Sequence, residues 1–381
     1  MRVLHLTRDL PPRCVGGLST AVGGLVGASA RHGRTVSAIS FDAWRPARAG
    51  AAEPCAPADE HGVAVLRVSH PEHLDAARAF AHAGRPDLVH VHHGMLWPLA
   101  ASLRADLGVP AVKTVHVVQR EMNALRRTSE RTRSLAGQEA ALAAADRIIV
   151  PSRAAAAALA PYGDAVAARL RVAPHGIDDS HAARAAVAAR AATAADATLL
   201  AVGRFDHAKG TPELFKVLRL VLGRLQCHRA VVVGGVPANL RAELQWRRRW
   251  QEESTPALRA RVRFTGWLDR DALAAEYAAA DVLLITSRFE TFGLTALEAM
   301  LFGLPVSTPR AGGVEEVVEH GVAGLVAPDA SVELLRDNTS ALLDNRQRGL
   351  DLGRQGAVLA RRRHLWVHAL PRILAVYREV A

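Results

Sequence analysis

Short runs of β-branched and other apolar residues alternate with longer segments rich in Ala, Leu and Arg. Continuous apolar strands separated by helices are typical of βαβ units, in which helices cover both faces of a parallel sheet. The sequence therefore predicts an α/β fold. The predicted strands of the first half are Val3–Leu6, Thr35–Ser40, Leu88–His92, Ala111–His116 and Arg147–Val150. The predicted helices of this half are Gly17–His32, Leu74–His82, Trp97–Leu107 and Ser134–Ala145.

The alternation restarts after a segment that contains the turn-forming residues Pro174 and Gly176. The second set of predicted strands is Thr198–Val202, Arg229–Val233, Val262–Phe264, Val282–Ile285, Pro305–Thr308 and Gly324–Val326. Its predicted helices are Pro212–Leu225, Arg241–Glu253, Arg270–Ala279, Leu294–Leu301, Val314–Glu319 and Val332–Leu343. A chain of 381 residues also exceeds the usual domain size of about 150 residues. We therefore predict two Rossmann-like domains, residues 1–178 and 179–363.

Composition excludes a disordered or a membrane-spanning chain. Half of the residues are hydrophobic, which is enough for a core in each domain. Apolar stretches such as Ala154–Ala160 are far shorter than the roughly 20 residues that a membrane span needs. The first residues, Met1–Leu6, predict a strand and not a signal peptide.

The cysteines and histidines predict neither disulfides nor a metal site. Cys14, Cys55 and Cys227 are odd in number and lack CxxC spacing, which favours a reducing, cytoplasmic location. The 17 histidines are scattered, and His92-His93 is their one adjacent pair.

The net charge of +11 raises the question of an anionic partner. Arginines are spread along the chain without a nucleic-acid-binding motif, so no nucleic-acid partner is expected. Two basic stretches, Arg126–Arg133 and Trp246–Trp250, leave a peripheral membrane contact open, beside the simpler interpretation of solvated surfaces.

The sequence TLLAVGRFDHAKG predicts an anion site. A strand ends at Gly203 and Arg204, and a loop then leads through Lys209 to a helix that has Pro212 in its first turn. Two cations and a helix N-terminus suit a diphosphate. The alternative is a βα loop with two surface cations.

The sequence SRFETFGLTALEAM places two carboxylates after another strand, Glu290 in a loop and Glu298 on the following helix. Carboxylates accept hydrogen bonds from the vicinal diols of sugars. The N–H groups of Phe292, Gly293 and Leu294 lie at the helix N-terminus, where the dipole favours an anion. Alternatively, Glu290 is a dipole partner and Glu298 a solvated residue, but the apolar surroundings of Glu298 favour partial burial.

Three further segments accompany these two motifs: Val262–Gly266 between them, GLPVSTPRAGGVEEVVEHGVAGLVAPDA after them, and Pro11-Pro12 followed by Gly16-Gly17 before them. Taken together, the motifs resemble the retaining GT-B glycosyltransferases of family GT4. The resemblance covers essentially the whole chain. It implies two Rossmann-like domains facing across a cleft, an acceptor-binding one at residues 1–178 and a nucleotide-sugar-binding one at 179–363. A C-terminal helix at 364–381 would cross back to the N-terminal domain.

The resemblance also implies individual roles. The implied catalytic residues are His116, Arg204, Lys209 and Glu290. The implied donor-binding residues are Gly16, Gly17, Gly203, Arg263, Phe264, Phe292, Gly293, Leu294 and Glu298. Arg204 and Lys209 would hold the diphosphate, Glu298 the ribose, Glu290 the transferred sugar and backbone around Arg263 the base. His116 would lie near the sugar, although Val117 follows it where many members have Asp. His175 replaces the Asn of the family's Asn-Gly-Ile-Asp hinge, which we interpret as structural.

The expected activity is that of a retaining hexosyltransferase. A hexose would move from a nucleotide-sugar, UDP-hexose favoured, to an acceptor hydroxyl by a front-face mechanism. The acceptor would be a natural product, an envelope lipid or a polyol, and neither metal nor cofactor is expected. Alternatives are another GT-B enzyme, such as a glucan synthase or sugar-nucleotide epimerase, and a basic nucleic-acid-binding protein. An NAD-dependent oxidoreductase would need GxGxxG, which Gly234-Gly235-Val236-Pro237 does not complete.

Overall fold

A computed structural model describes residues 1–12, 16–41, 56–68, 73–126, 133–190, 196–224, 228–235 and 240–381. Cys14, Cys55, Cys227, Arg127, Arg131 and Val236-Pro237 lie outside the described residues. Contacts between Cα atoms divide the chain into two compact units. The first comprises Met1–Ala124, Thr128–Gly176 and Trp366–Ala381, and the second comprises Leu125–Arg127 and Ile177–Leu365.

The first unit contains one sheet of eight strands in the order β3-β4-β2-β1-β5-β6-β7-β8. The strands are β1 Arg2–Thr7, β2 Thr35–Ser40, β3 Pro57–Asp59, β4 Ala64–Arg67, β5 Leu88–Val91, β6 Ala111–Thr114, β7 Arg147–Val150 and β8 Leu170–Val172. Every pair of neighbours is parallel except β3 and β4. The helices that precede the second unit are α1 Gly17–Arg31, α2 Leu74–Gly84, α3 Trp97–Leu107, α4 Gln119–Leu125, α5 Arg133–Ala144, α6 Arg153–Ala158 and α7 Asp164–Ala167.

The second unit contains one parallel sheet of six strands in the order β11-β10-β9-β12-β13-β14. Its strands are β9 Thr198–Val202, β10 Arg229–Val233, β11 Val262–Gly266, β12 Val282–Leu284, β13 Val306–Pro309 and β14 Gly324–Ala327. Its helices are α8 His181–Ala189, α9 Thr211–Arg224, α10 Leu240–Glu253, α11 Pro256–Arg259, α12 Arg270–Ala279, α13 Leu294–Leu301, α14 Val314–Val317, α15 Val332–Asp344 and α16 Arg346–His364.

Both faces of the second sheet are buried. Successive strand residues point to opposite faces, so Leu199 of β9 joins one apolar cluster with Phe215 of α9, whereas Leu200 joins another with Leu297 of α13. This two-sided burial explains why the strands have continuous apolar sequences.

The predicted strands and helices are confirmed, with shifts at their ends. Three strands are shorter than predicted: β5 stops at Val91, β6 at Thr114 and β12 at Leu284. His92 and His116 therefore lie beyond the strands. The helix predicted to end at Glu319 ends at Val317, where the backbone becomes extended at Val318. Strands β3, β4 and β8 were not predicted.

The last helix, α17 Trp366–Arg378, belongs to the first unit, as the resemblance implied. Leu370, Ile373 and Val376 lie in the core that α1 also lines, and Leu374 packs against it. The indole of Trp366 lies against Gly24 of α1 and against Gly176, where any Cβ would collide with it. Among the described residues, no helix has the length and apolar character needed to cross a membrane.

Replacing Trp366 with Ala should lower the free energy of unfolding of the first unit by about 3–5 kcal/mol, because it leaves a large cavity against α1. Chemical denaturation provides the measurement. Trp267, which is 42% exposed, supplies the control: its replacement with Ala should change the free energy by less than about 0.5 kcal/mol. Equal effects would contradict the packing described for Trp366.

Candidate active site

The second sheet reverses its strand order between β9 and β12. From β9, the chain adds β10 and β11 on one side and then β12, β13 and β14 on the other. In this type of sheet a ligand usually binds outside the carboxyl ends of the strands at such a point, where the loops after β9 and β12 lie. Both loops carry residues that the sequence motifs predict to bind a diphosphate or a sugar.

Hydrogen bonds hold these two loops together. The Thr286 hydroxyl lies within hydrogen-bond distance of the carbonyl oxygens of Lys209 (3.1 Å) and Gly210 (3.0 Å). The backbone N–H of Arg288 donates to the Ala208 carbonyl at 2.9 Å. Gly210 has φ +66°, and a Cβ there would collide with the Thr286 carbonyl oxygen. Only glycine allows the two loops to approach so closely.

Lys209 and Glu290 form an ion pair across the joined loops, with 2.6 Å between Nζ and Oε1. The Ser287 hydroxyl donates to the same oxygen at 2.6 Å. The backbone of Glu290 is fixed as well, since its N–H donates to Ala311 and its carbonyl accepts from Gly313. The structure thus places Lys209, which is implied to bind the diphosphate, in contact with Glu290, which is implied to bind the transferred sugar.

Arg204 follows β9 in the same loop. Its side chain is 46% exposed and its guanidinium lies 3.7 Å from the Asp206 carboxylate. The other oxygen of that carboxylate accepts from the backbone N–H of Lys209 at 2.8 Å. Asp206, which the sequence analysis did not select, therefore orients the loop that carries both cations.

Helix α13 starts at the end of the Glu290 loop. Its N-cap, Gly293, has φ +105° and lies next to Val314. On the helix, Glu298 is half-buried, and its carboxylate accepts a hydrogen bond from the Tyr277 hydroxyl at 2.9 Å. Burial raises the pKa of Glu298, while the Tyr277 hydrogen bond and the charge of Arg270 oppose that rise. The expected partial burial of Glu298 is confirmed.

Strand β11 holds the implied base-reading segment. The Arg263 guanidinium donates to both carboxylate oxygens of Glu276 at 2.8 Å, so this side chain is engaged within the domain. Phe264 is half-buried, with its ring centroid 6.2 Å from that of Phe205. The Gly203 N–H donates to Val233, which ties the end of β9 to β10.

The remaining implied residues lie in the first unit. Gly16 is the N-cap of α1 and Gly17 its first residue. A Cβ built on Gly16 would meet nothing within 4 Å, so packing within this unit does not require glycine there. His116 follows β6 and is half-buried.

His116 belongs to a histidine cluster that the sequence analysis missed. The members are His5, His90, His92, His116 and His175. Strands β1 and β5 are neighbours, and His5 is paired with His90 in their register. The ring of His175 is stacked on that of His116, with centroids 4.9 Å apart, so the hinge residue also contacts an implied catalytic residue. A signal existed in the histidines near the carboxyl ends of three predicted strands, Val3–Leu6, Leu88–His92 and Ala111–His116.

Burial disfavours the charged forms of these histidines and of the neighbouring Lys113. It lowers the pKa of His5 to about 3, that of His175 to about 4 and that of Lys113 to about 7. The pKa of His116 also falls well below its ordinary value, first through burial and then through His175 and other positive groups nearby. The Lys113 amine donates to the Thr114 carbonyl at 2.6 Å.

Comparisons with known proteins agree with this architecture. Residues 15–181 match the family described as Glycosyltransferase Family 4, and residues 196–345 match Glycosyl transferases group 1. A D-inositol 3-phosphate glycosyltransferase of Saccharomonospora viridis is 30% identical over 318 residues, covering 79% of this chain and 72% of the relative. A glycogen synthase of Mycobacterium tuberculosis is 27% identical, covering 91% and 86% of the two chains.

Solved structures share the fold. Sucrose-phosphate synthase from Thermosynechococcus elongatus has a TM-score of 0.82 at 23% identity, covering 100% of this chain and 99% of that one. Anabaena HepE in complex with UDP-glucose has a TM-score of 0.76 at 20% identity, with all of both chains covered. Two α/β units, each built on a mainly parallel sheet, are characteristic of the GT-B class of glycosyltransferase. The chain belongs to glycosyltransferase family 4.

The neutral histidines predict a loss of stability in acid. The unfolded chain binds a proton at His175 below pH 6.5, but the folded chain binds it only near pH 4, so stability falls as the pH drops through this window. Between pH 7.5 and about pH 5.5, the free energy of unfolding should fall by about 1 kcal/mol more in the wild type than in His175→Asn. Asn is the residue of the family's hinge motif at this position. Urea unfolding measures this difference. Parallel losses in both proteins would show that His175 does not titrate in this way.

Proposed function

We propose that the protein transfers a hexose from UDP-hexose to a hydroxyl acceptor, with retention at the anomeric carbon and without a metal ion. The observation that carries the proposal is the Lys209–Glu290 pair at the strand-order reversal, next to the N-terminus of α13. A cation, a carboxylate and the N-terminus of a helix lie close together here, and this combination suits a ligand that joins a diphosphate to a sugar. The UDP-glucose bound in the Anabaena HepE structure supports this donor class.

Lys209, Arg204 and the N–H groups around Gly293 would bind the diphosphate. They would also stabilise the negative charge that develops on it as the glycosidic bond breaks. Glu298, eight positions beyond Glu290, would accept hydrogen bonds from the ribose hydroxyls, and the backbone of β11 near Arg263 and Phe264 would contact the base.

Donor binding would exchange the partners of Lys209. In the structure its ammonium group pairs with Glu290 at 2.6 Å. An incoming diphosphate carries more negative charge than one carboxylate and would compete for that group. Glu290 would then keep its Ser287 hydrogen bond and turn its other oxygen to the hydroxyls of the transferred sugar.

The chemical step would follow a front-face course. The bond between the anomeric carbon and the diphosphate oxygen breaks, and the acceptor oxygen bonds to the same face of the sugar. The leaving phosphate oxygen takes the proton of the acceptor hydroxyl, so no protein carboxylate needs to act as base. His116, Gly16 and Gly17 of the first unit would contact the donor, and this unit would bind the acceptor. The inositol phosphate relatives favour a polyol among the acceptor classes.

Substitutions at the three charged residues should have different effects. Lys209→Ala should weaken UDP binding by about 1.5–3 kcal/mol, and Glu298→Gln by about 1–3 kcal/mol. Glu290→Gln should leave UDP binding unchanged or tighten it, because the carboxylate no longer competes for Lys209, while turnover of the sugar donor falls at least about tenfold. Calorimetry with UDP and steady-state kinetics with UDP-hexose provide the measurements.

Glu252→Gln is the matched control, since Glu252 is exposed on α10 and pairs with Arg248. It should alter neither quantity. Equal losses of UDP affinity in the Glu290 and Glu298 variants would contradict the separate roles of these two residues.

Activity should persist in EDTA, because Arg204 and Lys209 supply the positive charge that a metal would otherwise provide. The assay compares turnover before and after chelation. A complete loss that Mg²⁺ or Mn²⁺ restores would refute the metal-independent mechanism.

A further inference from the structure

Three imidazoles of the first unit form a continuous hydrogen-bonded chain. Nδ1 of His5 lies 3.0 Å from Nε2 of His92, and Nδ1 of His92 lies 3.0 Å from Nε2 of His116. His5 and His92 are buried, whereas His116 is half-buried. The chain therefore runs from the interior of the unit to a ring that is partly accessible.

A chain of neutral imidazoles has two consistent proton arrangements, because each ring carries one proton and each bond needs one donor. In one arrangement, His116 donates from Nε2 to His92, which donates from Nε2 to His5. In the other, His5 donates from Nδ1 to His92, which donates from Nδ1 to His116. A charged ring in the middle is excluded, since burial and the neighbouring histidines hold the pKa of His92 well below its ordinary value.

The buried end of the chain distinguishes the two arrangements. Nε2 of His5 is buried and has no hydrogen-bond partner in the described part of the chain. The first arrangement would leave an N–H there without an acceptor, and orphaned buried N–H groups are rare. The second leaves only a lone pair at this position. It also keeps the single proton of His116 on Nδ1.

Five other titratable groups lie beside this hydrogen-bonded chain or the rings that it contacts. They are His90, His93, Lys113, His175 and Tyr377. Both nitrogens of His90 are engaged, one with the Tyr377 hydroxyl at 2.7 Å and one with the Thr114 hydroxyl at 2.6 Å. The positive charge of Lys113 opposes a further proton on His92 or His116.

A metal ion is a weaker interpretation of the same cluster. His5, His90 and His92 do place one nitrogen each within 4.8 Å of one another. Among the ring nitrogens of these three residues, however, only Nε2 of His5 is without a hydrogen bond in the described structure. A metal ion bound by all three rings would therefore break at least two of these hydrogen bonds.

We propose that His5 and His92 are positioning residues that hold His116 in the tautomer with its proton on Nδ1. In this state His116 donates a hydrogen bond from Nδ1 to an oxygen of the bound sugar or acceptor. The catalytic part of this inference rests on the proposed function of His116, whereas the tautomer itself does not.

The tautomer is tested by two-bond ¹H–¹⁵N correlation spectra of the intact protein with ¹⁵N-labelled histidine rings. The His116 signals are assigned by their absence in His116→Gln. The wild type should show the proton on Nδ1. His5→Leu removes the donor and should abolish this fixed pattern, whereas His5→Asn retains an amide donor near the position of Nδ1 and should preserve it.

Turnover of UDP-hexose is measured in the same proteins. His5→Leu should lower kcat at least about tenfold with little change in KM for the donor, since partners that orient a metal-ligating histidine contribute about 10- to 100-fold to activity. His5→Asn should recover most of that loss. Thermal unfolding of each variant separates this effect from loss of folded protein.

A wild-type spectrum with the proton on Nε2 of His116 would overturn the proposal, and it needs no variant to fold. One equivalent of tightly bound metal in the purified protein would overturn it as well. An unchanged kcat in folded His5→Leu would refute the positioning role. Absence of all transfer activity in a wild type with the expected tautomer would instead refute the proposed function.

Discussion

The contact between Thr286 and the backbone of Lys209 and Gly210 is the constraint on which the candidate donor site depends. Lys209 and Glu290 are 81 positions apart in the chain, and each follows a different strand. Adjacent parallel strands bring their loops to the same edge of the sheet, but the Thr286 hydrogen bonds and the bare backbone of Gly210 bring the two side chains into contact. The ion pair is therefore a product of loop conformation and not of strand order alone.

Local sequence was sufficient to predict most of the fold. The bounds of β9, β10, α3, α12 and α13 agree with the structure, because buried strands and helices each have a characteristic local composition. The motifs around Lys209 and Glu290 were also recognised separately. Their direct contact was not predicted, since spacing along a chain does not determine how two loops pack. Strands β3 and β8 escaped prediction because each has only three residues and neither is fully buried.

The histidine cluster could not be predicted from single segments of the sequence. His5, His90 and His116 are separated in sequence, and each alone is an ordinary histidine in a strand or just after one. They meet because β1, β5 and β6 are neighbours in the sheet. His175 was interpreted as a hinge residue, but its ring is stacked on His116. Lateral strand order, which no local pattern encodes, creates the cluster.

The position of Trp366 has a consequence for synthesis. The first unit contains Met1–Ala124 and Thr128–Gly176 but also Trp366–Ala381, so this last part of its core is translated after the second unit. Until then, the face of α1 around Gly24 lacks its indole partner, and Tyr377 is not present to bond His90. Apart from Leu125–Arg127, the second unit is one continuous segment, Ile177–Leu365, and is translated before α17. The unit whose translation begins first is consequently completed only after the whole of the second unit has been translated.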